Sequence, residues 1–216
     1  MNGAKLVLPG PKLDAISLYQ LIDSEQVTMT AGVPTVWLSL LQHCEKNHLH
    51  LPSLERVIVG GSAAPDSMIE QLAAMGVELR QLWGMTEMSP CGTTSTPKLK
   101  HHDYSPVDMR RIQSSQGRPL FGVEMRIVDD RGQTLPHDGV SFGNLQVRGP
   151  WVVAHYFRCE LDAAHTSDGW FDTGDVATLD ADGYMRITDR TKDVIKSGGE
   201  WISSIELENI MGYFCQ

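Results

Sequence analysis

Between Val27 and Trp83, β-branched and apolar runs alternate with stretches whose apolar residues recur at helical spacing. This alternation limits the fold more than any other feature of the chain. Val27–Ala31, Arg56–Val59 and Val77–Trp83 read as strands. Asp14–Glu25 reads as a helix with Asp14 or Ser17 near its start. Pro34 opens a second helix from its favoured first-turn position, with Val36, Trp37, Leu40, Leu41 and Cys44 as the apolar stripe. Pro65–Met75 reads as a third, turning Met68, Ile69 and Leu72 inward. Strand, helix, strand, helix, strand in this order predicts a parallel sheet layered with helices and joined by right-handed crossovers. A further short strand is predicted at Lys5–Leu8.

Ligands of such sheets bind beyond the carboxyl ends of the strands. Two loops fall there, Gly60–Pro65 (GGSAAP) and Gly84–Pro90 (GMTEMSP). The pattern then changes. The polar stretch Thr93–Pro106 predicts a loop over the surface, with His101-His102 solvated, and Pro106–Gln113 a short helix. From Gly122 onward short strands are predicted at Val123–Val128, Asn144–Arg148, Val176–Leu179 and Tyr184–Ile187. Asp129-Asp130-Arg131-Gly132 and Asp180–Gly183 supply turns. A last helix is predicted from Ser203 or Ser204 through Met211. The predicted fold class is α/β: a partial layered parallel sheet with helices, then a small antiparallel β-barrel-like subdomain, then the start of a C-terminal α+β domain. The expected divisions are 1–121, 122–190 and 191–216.

Composition narrows the function. With 27 acidic against 18 basic residues the formal charge is −9, which leaves no basic face for nucleic acid or an anionic membrane. Cys44, Cys91, Cys159 and Cys215 have neither zinc-ligand spacing nor disulfide-framework density. The opening MNGAKLVLPG does not read as a secretory leader, and no stretch approaches a membrane span. The chain is therefore expected to be a cytoplasmic protein.

Three groups of residues suggest chemistry. In Trp83-Gly84-Met85-Thr86-Glu87, an aromatic ring at a strand end suits a purine, a contact worth about 1–3 kcal/mol per base. Gly84 lets backbone approach a ligand, Thr86 offers a hydroxyl to phosphate, and Glu87 offers a carboxylate to Mg²⁺. The same residues also suit a plain turn after a strand with a half-buried Trp. The GGSAAP loop (Gly60, Gly61, Ser62, Ala63) and the helix start at Val33 and Pro34 could wall a pocket for a flat ring or an acyl chain. They also suit tight strand-to-helix turns with Trp37 in the core. In the third group, Asp175 follows Thr173-Gly174 in a tight turn and Arg190 lies a hairpin's length downstream. A carboxylate meeting a guanidinium across a strand pair suits vicinal hydroxyls, such as those of ribose.

Taken in order, GVPTVW, GGSAAP, QLWGMTE, GNLQVRG, GWFDTGD, DRTKD, IKSGGEWIS and ELEN resemble the adenylate-forming enzymes over nearly the whole chain, and most of all the medium- and long-chain fatty acyl-CoA synthetases. The resemblance implies that a fatty acid, ATP with Mg²⁺, and coenzyme A are the reactants. It implies that Trp83 stacks on adenine, in a place usually held by Tyr. It puts Gln81, Gly61 and Gly84 near the adenine or the acyl carbonyl, Thr86 on the α-phosphate, Glu87 on Mg²⁺, and Asp175 with Arg190 on the ribose. Lys192 matches the hinge about which the C-terminal domain swings, and Lys196 and Trp201 match the start of that domain. Lys192 and Lys196 also suit solvated surface positions, and Asp175 an ordinary turn.

Two of the family's motifs do not occur in this sequence: the Ser/Thr/Gly-rich phosphate loop with its Lys, and the late catalytic lysine. Each lysine supplies positive charge to the adenylation transition state, and comparable contacts are worth on the order of 10³-fold or more in phosphoryl transfer. The chain is therefore expected to be an internal fragment of a fatty-acid–CoA ligase, inactive alone and completed, if at all, by a complementing chain. The alternatives are a non-catalytic remnant that binds nucleotide or a partner, and a fragment of an aryl-CoA ligase.

Overall fold

The computed structural model describes residues 3–158, 164–190, 195–197 and 200–202. The described residues form two compact units, one within 1–83 and 95–114, the other within 84–94 and 115–216. The fold is α/β, with a parallel sheet and helices in the first unit and a separate antiparallel sheet in the second.

In the first unit, α1 (Ala15–Glu25) begins where the Asp14 carboxylate accepts the Ser17 N–H at 2.9 Å. This bond also holds the Asp14 carboxyl below the usual carboxylate range. Then come β1 (Met29–Gly32), α2 (Pro34–Asn47), β2 (Arg56–Gly60), α3 (Asp66–Ala74) and β3 (Glu78–Gly84). β1 and β2 pair in parallel, Met29 opposite Arg56, and β2 pairs in parallel with β3, Arg56 opposite Glu78. The predicted helix stripes are buried, save Val36, which is only partly so: Trp37, Leu40, Leu41 and Cys44 on α2, and Met68, Ile69 and Leu72 on α3, packed with Val57, Val59 and Leu79 from the strands. Each fully buried Leu, Ile or Met contributes about 1.5–3 kcal/mol.

Two expectations for the first half of the chain are corrected. Residues 5–8 form no strand: Leu6 and Leu8 are 81% and 76% exposed. Pro9-Gly10-Pro11 follows at once, and proline cannot donate to a strand ladder, so the run does not extend into a strand. The polar stretch after Thr93 is not a surface loop throughout. Thr93 and Ser95 are fully buried, His101 is 1% exposed, and Cys91–Thr94 is a strand, β4. Polar side chains can be buried when their hydrogen bonds are met inside. Ser95 Oγ accepts from the Gln81 N–H at 2.8 Å and the Ser95 N–H donates to Gln81 O at 2.9 Å. Thr93 Oγ1 donates to Gln116 O. His101 Nδ1 accepts from the Lys98 N–H, and its ring lies 4.5 Å from that of Tyr104. His102 alone of the pair is solvated. The predicted helix at 106–113 forms as α4 (Pro106–Gln113), capped by the Ser105 hydroxyl.

Across the β2–β3 pair Glu78 carries two guanidinium partners, Arg56 Nε at 2.7 Å and Arg80 Nε at 2.9 Å. Burial pushes the Glu78 carboxyl up, but the hydrogen bonds from Arg80 and Arg56 outweigh it, and the group titrates below its ordinary range. A depressed folded-state value gives stability that is present above the unfolded value and is lost as pH falls through the folded one. Thermal melts taken from neutral pH down through the carboxylate range should therefore fall more steeply for the wild-type chain than for Glu78→Gln. Parallel curves would remove Glu78 as a source of acid sensitivity.

In the second unit, β5 (Arg118–Pro119) pairs antiparallel with β4, Thr93 opposite Pro119. β6 (Glu124–Val128), β7 (Phe142–Arg148), β8 (Phe171–Leu179) and β9 (Met185–Arg190) form an antiparallel sheet in chain order. This sheet is not the expected barrel. β6 and β9 do not pair, so the four-stranded sheet stays open. Along β9, Met185 takes an isolated bridge to Gly117, and Gln116 Oε1 accepts the Ile187 N–H at 2.7 Å. Ile127, Leu145, Val147, Phe171, Ala177, Leu179 and Met185 form the buried face. The last described pair is β10 (Ile195–Ser197) with β11 (Glu200–Ile202). The predicted closing helix lies outside the described residues. No helix among the described residues is long and apolar enough to cross a membrane.

Candidate functional site

In the first unit β2 delivers Gly60 to the loop that runs on through Gly61, Ser62 and Ala63, all three exposed. Val33 precedes α2 with Pro34 as that helix's first residue. A side chain started at Gly61 would meet Val33 Cγ1 at 3.3 Å, so these two predicted pocket residues are neighbours. Trp37 is core: it is 3% exposed and its ring covers Gly32. Gln81, on β3, is also 3% exposed, and its carboxamide is engaged at both ends. Oε1 accepts the Ala64 N–H at 3.1 Å and Nε2 donates to Gln113 O at 3.0 Å. Gln81 thus fastens the GGSAAP loop to β3 and to the end of α4.

Half-buried Trp83 closes the first unit and Gly84 opens the second. A Cβ at Gly84 would sit 1.7 Å from Pro90 O, so the glycine is required by the loop's own fold-back. Thr86–Met88 is a 3₁₀ turn that buries Met88, exposes Thr86 and leaves Glu87 partly exposed. Residues 151–156 grip this loop. The Val153 N–H donates to Glu87 O at 2.7 Å, Tyr156 Oη donates to Glu87 Oε1 at 2.8 Å, and Trp151 Nε1 donates to Cys91 O at 3.0 Å. Glu87 Oε2 makes no hydrogen bond among the described residues. No group of three or more His, Cys, Asp or Glu forms among them. A single accessible carboxylate suits Mg²⁺, which takes one or two protein carboxylates and fills its shell with phosphate oxygens and water.

The third group lies on β8 and β9. Gly174 takes φ +74°, a left-handed conformation that a side chain would disfavour. It sits where the β7 pairing moves from Gln146–Asp172 to Asn144–Val176, so residues 173–175 bulge out of the ladder. The Asp175 N–H donates to Thr173 Oγ1 at 3.2 Å and the Thr173 hydroxyl to Leu145 O at 3.0 Å. The bulge explains why β8 extends well upstream of the predicted strand: the left-handed residue breaks the alternation on which the prediction depended. Asp175 is the register partner of Arg190, with Arg190 Nε 3.9 Å from Asp175 Oδ1. This is too long for a hydrogen bond. A hydroxyl oxygen about 2.7 Å from the carboxylate and about 2.9 Å from the guanidinium fits both at once, donating to one and accepting from the other. Asp175 is 14% exposed and Arg190 76%.

Lys192 lies outside the described residues. Lys196 and Trp201 are register partners in the β10–β11 pair. One cavity among the described residues, of about 560 Å³, is lined by Glu70, Ala74, Met109 and Arg110, and another, of about 220 Å³, lies against Val153, His165 and Phe171. Neither is lined by a residue singled out from the sequence.

The residue missed by sequence reading is Tyr156. Its link to Glu87 joins positions 69 apart, and nothing local to either marks it. Trp151 was missed in the same way. The dense Pro150-Trp151-Val152-Val153 run after the GNLQVRG strand was the one available signal.

The sequence model for the family described as AMP-binding enzyme matches residues 1–157. A medium-chain-fatty-acid–CoA ligase from Ectopseudomonas oleovorans is 56% identical over 97% of this chain and 38% of the relative. A 3-methylmercaptopropionyl-CoA ligase from Ruegeria lacuscaerulensis is 54% identical over 97% of this chain and 39% of the relative. The chain thus spans well under half the length of these curated relatives. Among solved structures, o-succinylbenzoate coenzyme A synthetase from Bacillus subtilis, in complex with ATP and magnesium, superposes with a TM-score of 0.75. It is 30% identical, with 92% of this chain and 39% of that chain covered.

Proposed function

Because the chain belongs to the AMP-binding enzyme family, we propose that it carries the nucleotide-holding part of an ATP-dependent fatty-acid–CoA ligase. The observation that carries this reading is the Asp175–Arg190 pair, set in register by β8 and β9 at a separation that one ribose hydroxyl bridges. In the first half-reaction, an oxygen of the fatty-acid carboxylate attacks the α-phosphorus of ATP. The bond to the bridging oxygen breaks, and pyrophosphate leaves with the electron pair. In the second, the sulfur of coenzyme A, its proton lost, attacks the acyl carbon and AMP departs. Neither step needs covalent help from the protein; both need positioning and charge neutralisation.

The chain's residues divide that work. Trp83 stacks on adenine, with Gly84 allowing close approach. Gly61 and its loop, fastened by Gln81, lie toward the adenine or the acyl group. Thr86 donates its hydroxyl to an α-phosphate oxygen. Asp175 accepts from the ribose hydroxyls while Arg190 donates to them. Glu87 would hold a magnesium ion, which neutralises phosphate charge when bound. Lys192 serves as the pivot between the half-reactions, with Lys196 and Trp201 beyond it. Val33, Pro34, Gly60, Ser62 and Ala63 wall the acyl side. An aliphatic acid is favoured over an aryl one because two relatives more than half identical to this chain act, by name, on aliphatic acids.

The 216 residues contain no phosphate-loop sequence and no late catalytic lysine. The chain by itself is therefore proposed to bind nucleotide without turning it over. Incubated with ATP, Mg²⁺, a medium-chain fatty acid and coenzyme A, it should bind ATP and form no acyl-CoA. Robust acyl-CoA formation would overturn the incomplete-site reading, and absence of nucleotide binding would overturn the ligase reading for these residues.

A further inference from the structure

We propose that Tyr156 is a positioning residue for Glu87, fixing the carboxylate so that one oxygen is turned to a divalent cation. This rests on the reading of Glu87 as the magnesium ligand. Residues 151–156 hold residues 87–91 at four points. Ser89 Oγ donates to Trp151 O at 3.3 Å and Trp151 Nε1 to Cys91 O at 3.0 Å. The Val153 N–H donates to Glu87 O at 2.7 Å and Tyr156 Oη to Glu87 Oε1 at 2.8 Å. Glu87 is therefore fixed through its backbone and its side chain by the same short segment. The terminal torsion of a glutamate is soft, and a free carboxylate samples a broad range of orientations. A phenol bound to Oε1 removes that freedom and occupies one oxygen, so the other is the one presented to a cation. Carboxylates that ligate metals are usually held in this way, and losing the outer partner typically costs about 10–100-fold in metal affinity.

The Tyr156 ring stands edge-on to Phe171, with centroids 6.4 Å apart, so Tyr156→Phe removes the hydroxyl and keeps the packing. The test is the Mg²⁺ dependence of ATP binding to the 216-residue chain, followed by calorimetry, with a thermal melt of each variant. Tyr156→Phe should raise the Mg²⁺ concentration for half-maximal ATP binding by about 10-fold, leave ATP affinity at saturating Mg²⁺ unchanged and leave the melt unchanged. Glu87→Gln should abolish the Mg²⁺ dependence, and Tyr156→Phe should add nothing in that background. An unchanged Mg²⁺ midpoint in Tyr156→Phe, with a shifted one in Glu87→Gln, overturns the role of Tyr156 and leaves the reading of Glu87 standing. An unchanged Mg²⁺ dependence in Glu87→Gln overturns both.

Discussion

Asp175→Asn should weaken AMP binding by on the order of 10- to 100-fold. Hydrogen bonds to a charged group are worth roughly 1.5–3 kcal/mol each, and every 1.4 kcal/mol is about tenfold in affinity. The substitution keeps the shape and removes the charge to which, on the proposed reading, the ribose hydroxyls donate. The bulge that presents position 175 comes from Gly174 and the Thr173 bonds, which stay in place, so the melting temperature should move little. Arg190→Ala should cost less, because the guanidinium is 76% exposed and its contribution is screened by water. Calorimetric titration of AMP into each variant decides it. Equal affinities for wild type and Asp175→Asn would remove Asp175 from the site.

Gly84→Ala should be strongly destabilising. The added carbon would fall 1.7 Å from Pro90 O, with Gly92 N at 3.0 Å, so the backbone of residues 90–92 would have to shift. Overpacking commonly costs about 1–3 kcal/mol, and a clash with backbone, which no rotamer change relieves, belongs at or beyond the top of that range. Gly183→Ala is the informative companion. No atom lies within 4 Å of its Cβ position, so only the conformational cost of φ +81° remains. Thermal melts should order the chains as wild type, then Gly183→Ala, then Gly84→Ala. If Gly84→Ala melts with the wild type, the fold-back of residues 84–90 is not as described. The same loop carries Thr86 and Glu87, so this experiment also tests how firmly they are presented.

The sequence disclosed whatever depends on neighbours a few residues away. α2 and α3 were legible because Leu40, Leu41, Met68 and Leu72 repeat at helical spacing, and Pro34 marks a start. The Asp175–Arg190 pairing was legible only in part. The Asp180–Gly183 turn marks the hairpin that brings the two strands together, but its regular register would set Asp175 opposite Asp189, and the irregularity between Val176 and Ala177 is what moves Arg190 across from Asp175. What was hidden depends on distant partners. Ser95 reads as a loop residue until Gln81 meets it with a donor and an acceptor. His101 reads as solvated until Lys98 and Tyr104 close on it. Gln81 itself reads as a ligand contact, and only the structure shows its carboxamide committed to Ala64 and Gln113. Tyr156 was silent for the same cause. The expected barrel failed on a pairing that no local pattern contains: strand periodicity says that a sheet forms, whereas closure depends on whether β6 and β9 pair.

The central claim is that Asp175 and Arg190 hold the sugar of an adenine nucleotide. It is tested most directly by titrating AMP and 2′,3′-dideoxy-AMP into the wild-type chain and into Asp175→Asn. The account predicts that wild type binds AMP far more tightly than the dideoxy analogue, and that Asp175→Asn binds the two alike, because the hydroxyls and the carboxylate are one interaction. Equal affinity of the wild-type chain for both nucleotides would contradict it.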